Sequence, residues 1–168
     1  MKILQITNVK NFMNQLLLTD LFDHFLLSEA VIQGLVTYRI DGHLTSGFLT
    51  DDELLEEKLS DLDCAPFSML RTNCYDLIKG KRTPAAFKFV FMLSPENLSN
   101  TLTRSESSFT ILDLNAVFIN IRFQEGVLTC TTGVSYRTFS LDHSFEQSWD
   151  VLVQKFLDSH DISFTELS

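Results

Sequence analysis

The stretch from Phe87 to Val134 limits the fold more than any other part of the chain. It opens on Phe87-Lys88-Phe89-Val90-Phe91-Met92-Leu93, a run apolar on both faces except at Lys88. That pattern predicts a central strand covered on each side. Ser94 followed by Pro95 then marks a helix start, a hydroxyl cap before a residue with helical φ already set. Further on, Val117, Ile119, Ile121 and Phe123 alternate with Phe118, Asn120, Arg122 and Gln124, the period-2 signature of a strand with one wet face. Gln124-Glu125-Gly126 turns the chain back into Val127–Val134. Strand, helix and hairpin together supply most of the expected core.

The rest of the chain is organised around this block. Lys2–Ile6 reads as a short strand, and Thr7-Asn8 caps a helix to about Leu18 with Val9, Phe12, Met13, Leu16 and Leu17 on one face. Asp20–His24 reads as a turn. Phe25 to Ile40 is strand-like, with breaks near Ser28-Glu29 and Gly34, and Asp41-Gly42 carries the signal of a hairpin turn. Thr50-Asp51-Asp52-Glu53 is a capping box opening an acidic helix. A second helix follows Pro66, with Leu70, Cys74, Leu77 and Ile78 inward and Gly80 as its stop. Residues 79–84 form a connector and 104–108 a loop. Tyr136–Leu141 is expected to add a strand. Ser144-Phe145-Glu146-Gln147 reads as another capping box, before a helix that aligns Phe145, Trp149, Leu152, Val153, Phe156 and Leu157. Ile162–Leu167 is expected to be an edge strand.

Composition removes several classes of function. The chain has 168 residues, is 45% hydrophobic and contains 15 Phe, so a sizeable core is available. Its net charge is −9, with 8 basic against 12 acidic residues before Pro84 and 5 against 10 from there on. Both parts repel phosphates, which disfavours nucleic acid as a partner. The N-terminal residues lack a signal peptide's apolar region, and no apolar run nears the roughly 20 residues a membrane span requires. Cys64, Cys74 and Cys130 are odd in number and lack CxxC spacing. Reduced thiols in the cytoplasm are the simplest reading.

The two halves of the chain resemble each other. Ile6–Leu16 lies over Leu93–Leu102, and Arg39–Thr45 over Phe123–Thr129. Leu16 and Leu102 are 86 positions apart, Gly42 and Gly126 84. Matching order at near-constant spacing points to an internal duplication. The expectation is one α+β domain over residues 1–168, made of two pseudo-repeats (about 1–80 and 85–168). Each would be a β-α-β-β-α unit, one with room for an extra strand, and all would share an antiparallel sheet with helices on one face.

A strand–helix–strand–strand unit used twice resembles the repeat of DNA sliding clamps, the family of the polymerase III β subunit and the proliferating cell nuclear antigen. The likeness is best over Phe87–Leu141 and weaker over Lys2–Thr45. Clamps line their inner face with basic helices, whereas here the corresponding helices carry mainly Lys10 and Arg104. A DNA role therefore does not follow from a clamp-like fold. Three further stretches, Arg39-Ile40-Asp41-Gly42-His43-Leu44, Leu77–Pro84 and Phe87–Phe91, are similar to those of an uncharacterised family of anaerobic Gram-positive bacteria. That resemblance implies a cytosolic bacterial protein and carries no activity across.

The chain has no GxxxxGK[ST], GxGxxG, GxSxG or HExxH motif. Asp20, Asp23 and His24, with His43, are hard-ligand types, but Asp is a turn residue and the spacing is that of a turn. Asp142-His143 and His160-Asp161 lie at helix ends, where both residue types are favoured without any catalytic role. Cys74 sits on an apolar stripe, the position of a buried small hydrophobe. Lys79, Lys81 and Arg82 stand out as a basic cluster on an acidic background and are the candidate anion- or partner-binding residues. No metal, cofactor or catalytic constellation is assigned. The expected function is a non-catalytic cytosolic interaction module for a protein partner or for self-association. The alternatives are an enzyme or small-ligand binder with a site between the halves, and a clamp-like DNA-associated protein.

Overall fold

The computed structural model describes residues 1–167. Its centre is one seven-stranded antiparallel sheet in the order β3-β2-β4-β5-β6-β1-β7, flanked by five α-helices. The mixed α+β class read from the sequence is what the chain adopts. β1 (Ile3–Ile6) leads into α1 (Val9–Leu18), whose first turn is capped by Asn8 accepting from the Asn11 amide. β2 (Leu26–Gln33) and β3 (Thr37–Asp41) follow, then α2 (Asp51–Glu56) and α3 (Arg71–Ile78). β4 (Ala86–Met92) and α4 (Pro95–Arg104) open the second half, with Ser94 capping α4 through the Asn97 amide. β5 (Leu114–Gln124), β6 (Val127–Tyr136), α5 (Ser144–Ser159) and β7 (Phe164–Leu167) complete it.

The order strand–helix–strand–strand recurs, and α1 and α4 are 86 positions apart. The sheet partners differ, since β4 joins β5 directly while β1 sits between β6 and β7. β1 is thus placed by the last third of the chain rather than by its own neighbours.

The core lies on one side of the sheet. Phe87, Phe89 and Phe91 of β4 point into it with Ile119, Ile121 and Phe123 of β5 and Cys130 of β6. Their rings interlock with those of other elements, Phe67 lying 4.9 Å and Phe22 5.3 Å from Phe91 between centroids. Each fully buried Phe contributes about 1.5–3 kcal/mol through the apolar area it hides. α5 closes this side with Phe145, Trp149, Val153 and Leu157.

Four local expectations are corrected. The first hairpin turns at Gly34-Leu35-Val36, between the pair Gln33 and Thr37, and Asp41-Gly42 instead ends β3. The central strand β4 is fully covered on one face only, with Phe87, Phe89 and Phe91 buried and Lys88, Val90 and Met92 half-buried on the other. Arg137–Leu141 is irregular, since the Arg137 amide and Nε bind the carbonyls of Asp113 and Leu114 and turn the chain off the sheet. The capping box at Ser144 does not form. Ser144 is already helical, and its amide is held by the Asp142 carboxylate. The second hairpin turns at Glu125-Gly126 as expected, both residues having φ in the left-handed region (52° and 79°).

Candidate functional site

The bare side of the sheet carries a row of charge set by strand register. Arg39 pairs with Val31, Val31 with Lys88, and Lys88 with Arg122, so three cations from β3, β4 and β5 lie in one line across the strands. Strands are about 4.8 Å apart, which places Lys88 about 5 Å from the Arg122 position and about 10 Å from that of Arg39. In the adjoining row Glu29 sits opposite Asp41 and Val90. Its carboxylate takes Arg39 Nη1 at 2.6 Å and Lys88 Nζ at 3.0 Å. The hydrogen bond from Lys88, then the charges of Lys88 and Arg39, hold the Glu29 carboxyl below its ordinary range. Asp41 is turned to His43, accepting from its amide and ring. Arg122 reaches the Gln124 side-chain oxygen, a neutral partner. One carboxylate therefore faces three cations.

Arg39, Lys88, Arg122 and Gln124 rim a shallow concavity of about 490 Å3 together with Asn120. Asn120 is the next outward-facing residue on β5 before Arg122, and its Oδ1 is buried with no hydrogen-bond partner. A shielded acceptor left unpaired costs about 1–3 kcal/mol, so this atom is a local weakness in the packing under the concavity.

The cluster read from the sequence lies outside the concavity, in the segment that leads into β4. Lys79 caps the C-terminus of α3, pairs with Asp76 at 2.9 Å and lies 5.7 Å from the Tyr75 ring centre. The hydrogen bond to Asp76 raises its pKa. Lys81 and Arg82 are exposed in the bend that follows. The connector is tied to the sheet by the Ala85 amide, which donates to the Gln33 carbonyl at 2.8 Å, and Gln33 and Ala86 both line the concavity. Arg39, Lys88 and Arg122 themselves were missed, because they are scattered along the sequence and only register gathers them.

The other candidates are occupied locally. Asp23 holds Arg71 through Nε at 2.9 Å and Nη2 at 3.3 Å. With His24 it lines a groove of about 700 Å3 that ends at the start of α4, where the halves meet and away from the 79–84 connector. No group of three or more potential metal ligands occurs among the described residues. His143 pairs with Glu146 at 3.3 Å, and His160 Nδ1 contacts the Phe156 carbonyl at 2.7 Å. Cys74 is buried, and burial pushes its thiol up to about 12, so the thiolate a nucleophile needs is suppressed. No helix among the described residues is long and apolar enough to cross a membrane.

No curated protein and no solved structure matches the chain. A family model matches residues 15–165, a span that contains Glu29, Arg39, Lys79, Lys81, Arg82, Lys88 and Arg122 and agrees with the resemblance to a family without assigned activity. The chain belongs to the family of unknown function DUF5721.

Proposed function

We propose that this protein is a non-catalytic interaction module of the bacterial cytosol whose bare sheet face docks an acidic segment of a partner protein. The observation that carries the reading is the row Arg39–Lys88–Arg122, faced by Glu29 alone, on a chain of net charge −9. Isolated cations on an acidic protein are usually neutralised by neighbours, and a row left in excess is complementary to negative charge brought from outside. The length of the row narrows the choice further. A peptide brings several carboxylates at strand-like spacing for a row of three cations, whereas a simple anion engages one or two of them. The three buried, unpaired thiols fit a reducing compartment.

An extended segment rises about 3.3 Å per residue, so roughly five residues span the row from Arg39 to Arg122. The test uses a fluorescein-labelled octapeptide of alternating Glu and Gly, with single-stranded and duplex DNA of similar charge as competitors. Peptide binding should weaken about tenfold in the double variant Lys88→Gln/Arg122→Gln and strengthen in Glu29→Gln, and both effects should shrink as salt rises from about 0.05 to 0.2 M. Peptide binding that ignores these substitutions sinks the proposal. So does DNA binding tighter than the peptide's, which would favour the clamp-like alternative, or a dimer in solution that is lost in the double variant, which would assign the face to a second copy.

A further inference from the structure

On the helical side of the sheet a cavity of about 180 Å3 lies between α4, α5 and the turn after α1. Its wall is apolar, built from Phe22, Phe25, Ile119, Trp149, Val153 and Phe156. Folded cores hold few voids larger than a water molecule, so a chamber of this size marks incomplete packing between the two helices. Arg104, the last residue of α4, is the one cation on its lining. The same Arg104 and Leu152 also border an open recess of about 470 Å3 beside Gln147, Ser148 and Val151. Chamber and recess thus share an edge, with a guanidinium on it.

That guanidinium makes no ion pair among the described residues. Two acids of α5 are engaged with other groups. Asp150 is buried against Thr132, and Glu146 pairs with His143. The Thr101 hydroxyl, one turn earlier in α4, is spent on the Asn97 carbonyl at 2.7 Å. Arg104 is exposed, so the chamber carries at its edge a hydrated, unpaired guanidinium that a planar anion can engage.

The geometry points to this chamber as a binding site for a small amphipathic carboxylate, its acyl or arylalkyl chain among the Phe and Trp rings and its carboxylate on Arg104. An apolar cavity of about 150 Å3 accepts benzene, so this one takes an aromatic ring or roughly six to eight methylenes. The fork of Arg matches a carboxylate with two parallel N–H bonds, and the lack of a second cation disfavours a phosphate dianion.

Trp149 is the sole Trp of the chain and lines the chamber, its Nε1 donating to the Phe118 carbonyl at 3.1 Å. Its fluorescence therefore reports occupancy directly. Octanoate is titrated against the protein, with 1-octanol as the uncharged match. Octanoate should give a saturable change in Trp149 emission. Arg104→Gln should weaken octanoate about ten- to hundredfold, the loss of a charge-assisted contact, while leaving 1-octanol within about twofold. Val153→Phe should fill the chamber and abolish both. Should that variant fail to melt cooperatively, Leu152→Phe, half-buried on the shared edge, takes its place. The assignment is overturned by the absence of a saturable response to octanoate, by octanoate binding unchanged in Arg104→Gln, or by octanoate binding unchanged in the filled variants.

Discussion

Gly42 is a position where no side chain fits. A Cβ there would fall onto the Leu27 carbonyl oxygen, 2.7 Å from its carbon and 3.3 Å from the Ser28 oxygen. The backbone has no room to move aside, because the Gly42 amide donates to Ser28 and its carbonyl accepts from Ala65, each at 2.9 Å. Gly42→Ala must therefore displace the β2 bulge or the Cys64–Ala65 segment, and it should cost about 3 kcal/mol or more. Gly133 is the control. Its missing Cβ would meet the ring of Phe118, but that ring is half-exposed on the bare face and can swing away. Gly133→Ala should cost about 1 kcal/mol or less. Urea midpoints compare the two directly, and equal losses would refute the distinction between a backbone and a side-chain obstacle. The same residue shows a limit of sequence reading. Asp-Gly signals a turn because Gly tolerates positive φ, yet Gly42 serves close approach instead. The turn itself falls on Gly34-Leu35-Val36, where Leu35 is fully exposed and apolar residues give no turn signature.

Among the elements, α5 is joined to the sheet by polar contacts as well as by its apolar stripe. Thr132 of β6 and Asp150 of α5 are both buried. The Thr132 hydroxyl donates to Asp150 and accepts the Lys2 amide at 2.8 Å, so one oxygen links β6, the start of β1 and α5. Thr132→Val keeps the shape but strands the Lys2 amide and one oxygen of Asp150, whose other oxygen keeps the N-terminal ammonium at 3.4 Å, and this should cost about 1–3 kcal/mol. Thr132→Ser should recover most of it. Equilibrium unfolding of the pair decides the matter, and a Val variant as stable as the parent would show the link to be idle. This link was not legible from spacing, since a Thr in an alternating strand looks the same on either face until the partner helix is placed. The helices themselves were legible where local chemistry fixes them, as with Asn8, Thr50 and Ser94, each of which accepts a first-turn amide. β4 was misjudged for a different reason. Val90 and Met92 are apolar whether a second layer covers them or not, so composition alone does not count layers.

At the scale of the whole molecule, charge and burial are distributed unevenly, and both set how the fold responds to pH. Arg39, Lys88 and Arg122 become one site only through a sheet order that joins both halves, which is why the 79–84 cluster was visible in sequence and the row beside it was not. On the acid side, Glu29, Asp41, Asp142 and Glu166 are all held below their ordinary pKa. The main causes are hydrogen bonds from Lys88, His43, Ser144 and Lys2 respectively. Lowered carboxyls stabilise the fold above their unfolded values near 4, and that contribution is lost as pH falls through the folded ones. On the alkaline side, burial raises Cys64 to about 11 and Cys74 and Cys130 to about 12, from an ordinary 9.0. Raised thiols contribute nothing adverse below 9, but above it the unfolded chain ionises while the folded one resists, so stability drains away toward the folded values. The melting temperature should thus be level from about pH 5 to 9 and fall on both sides, with each buried thiol adding up to about 1.4 kcal/mol per pH unit to the alkaline slope. Calorimetric scans at constant ionic strength check this. Cys130→Ala will be less stable at pH 7 through lost packing, yet its alkaline slope should be shallower by one proton. A parent melting curve that stays level to about pH 10.5, or a Cys130→Ala slope identical to the parent's, would show that the thiols do not control the alkaline limit.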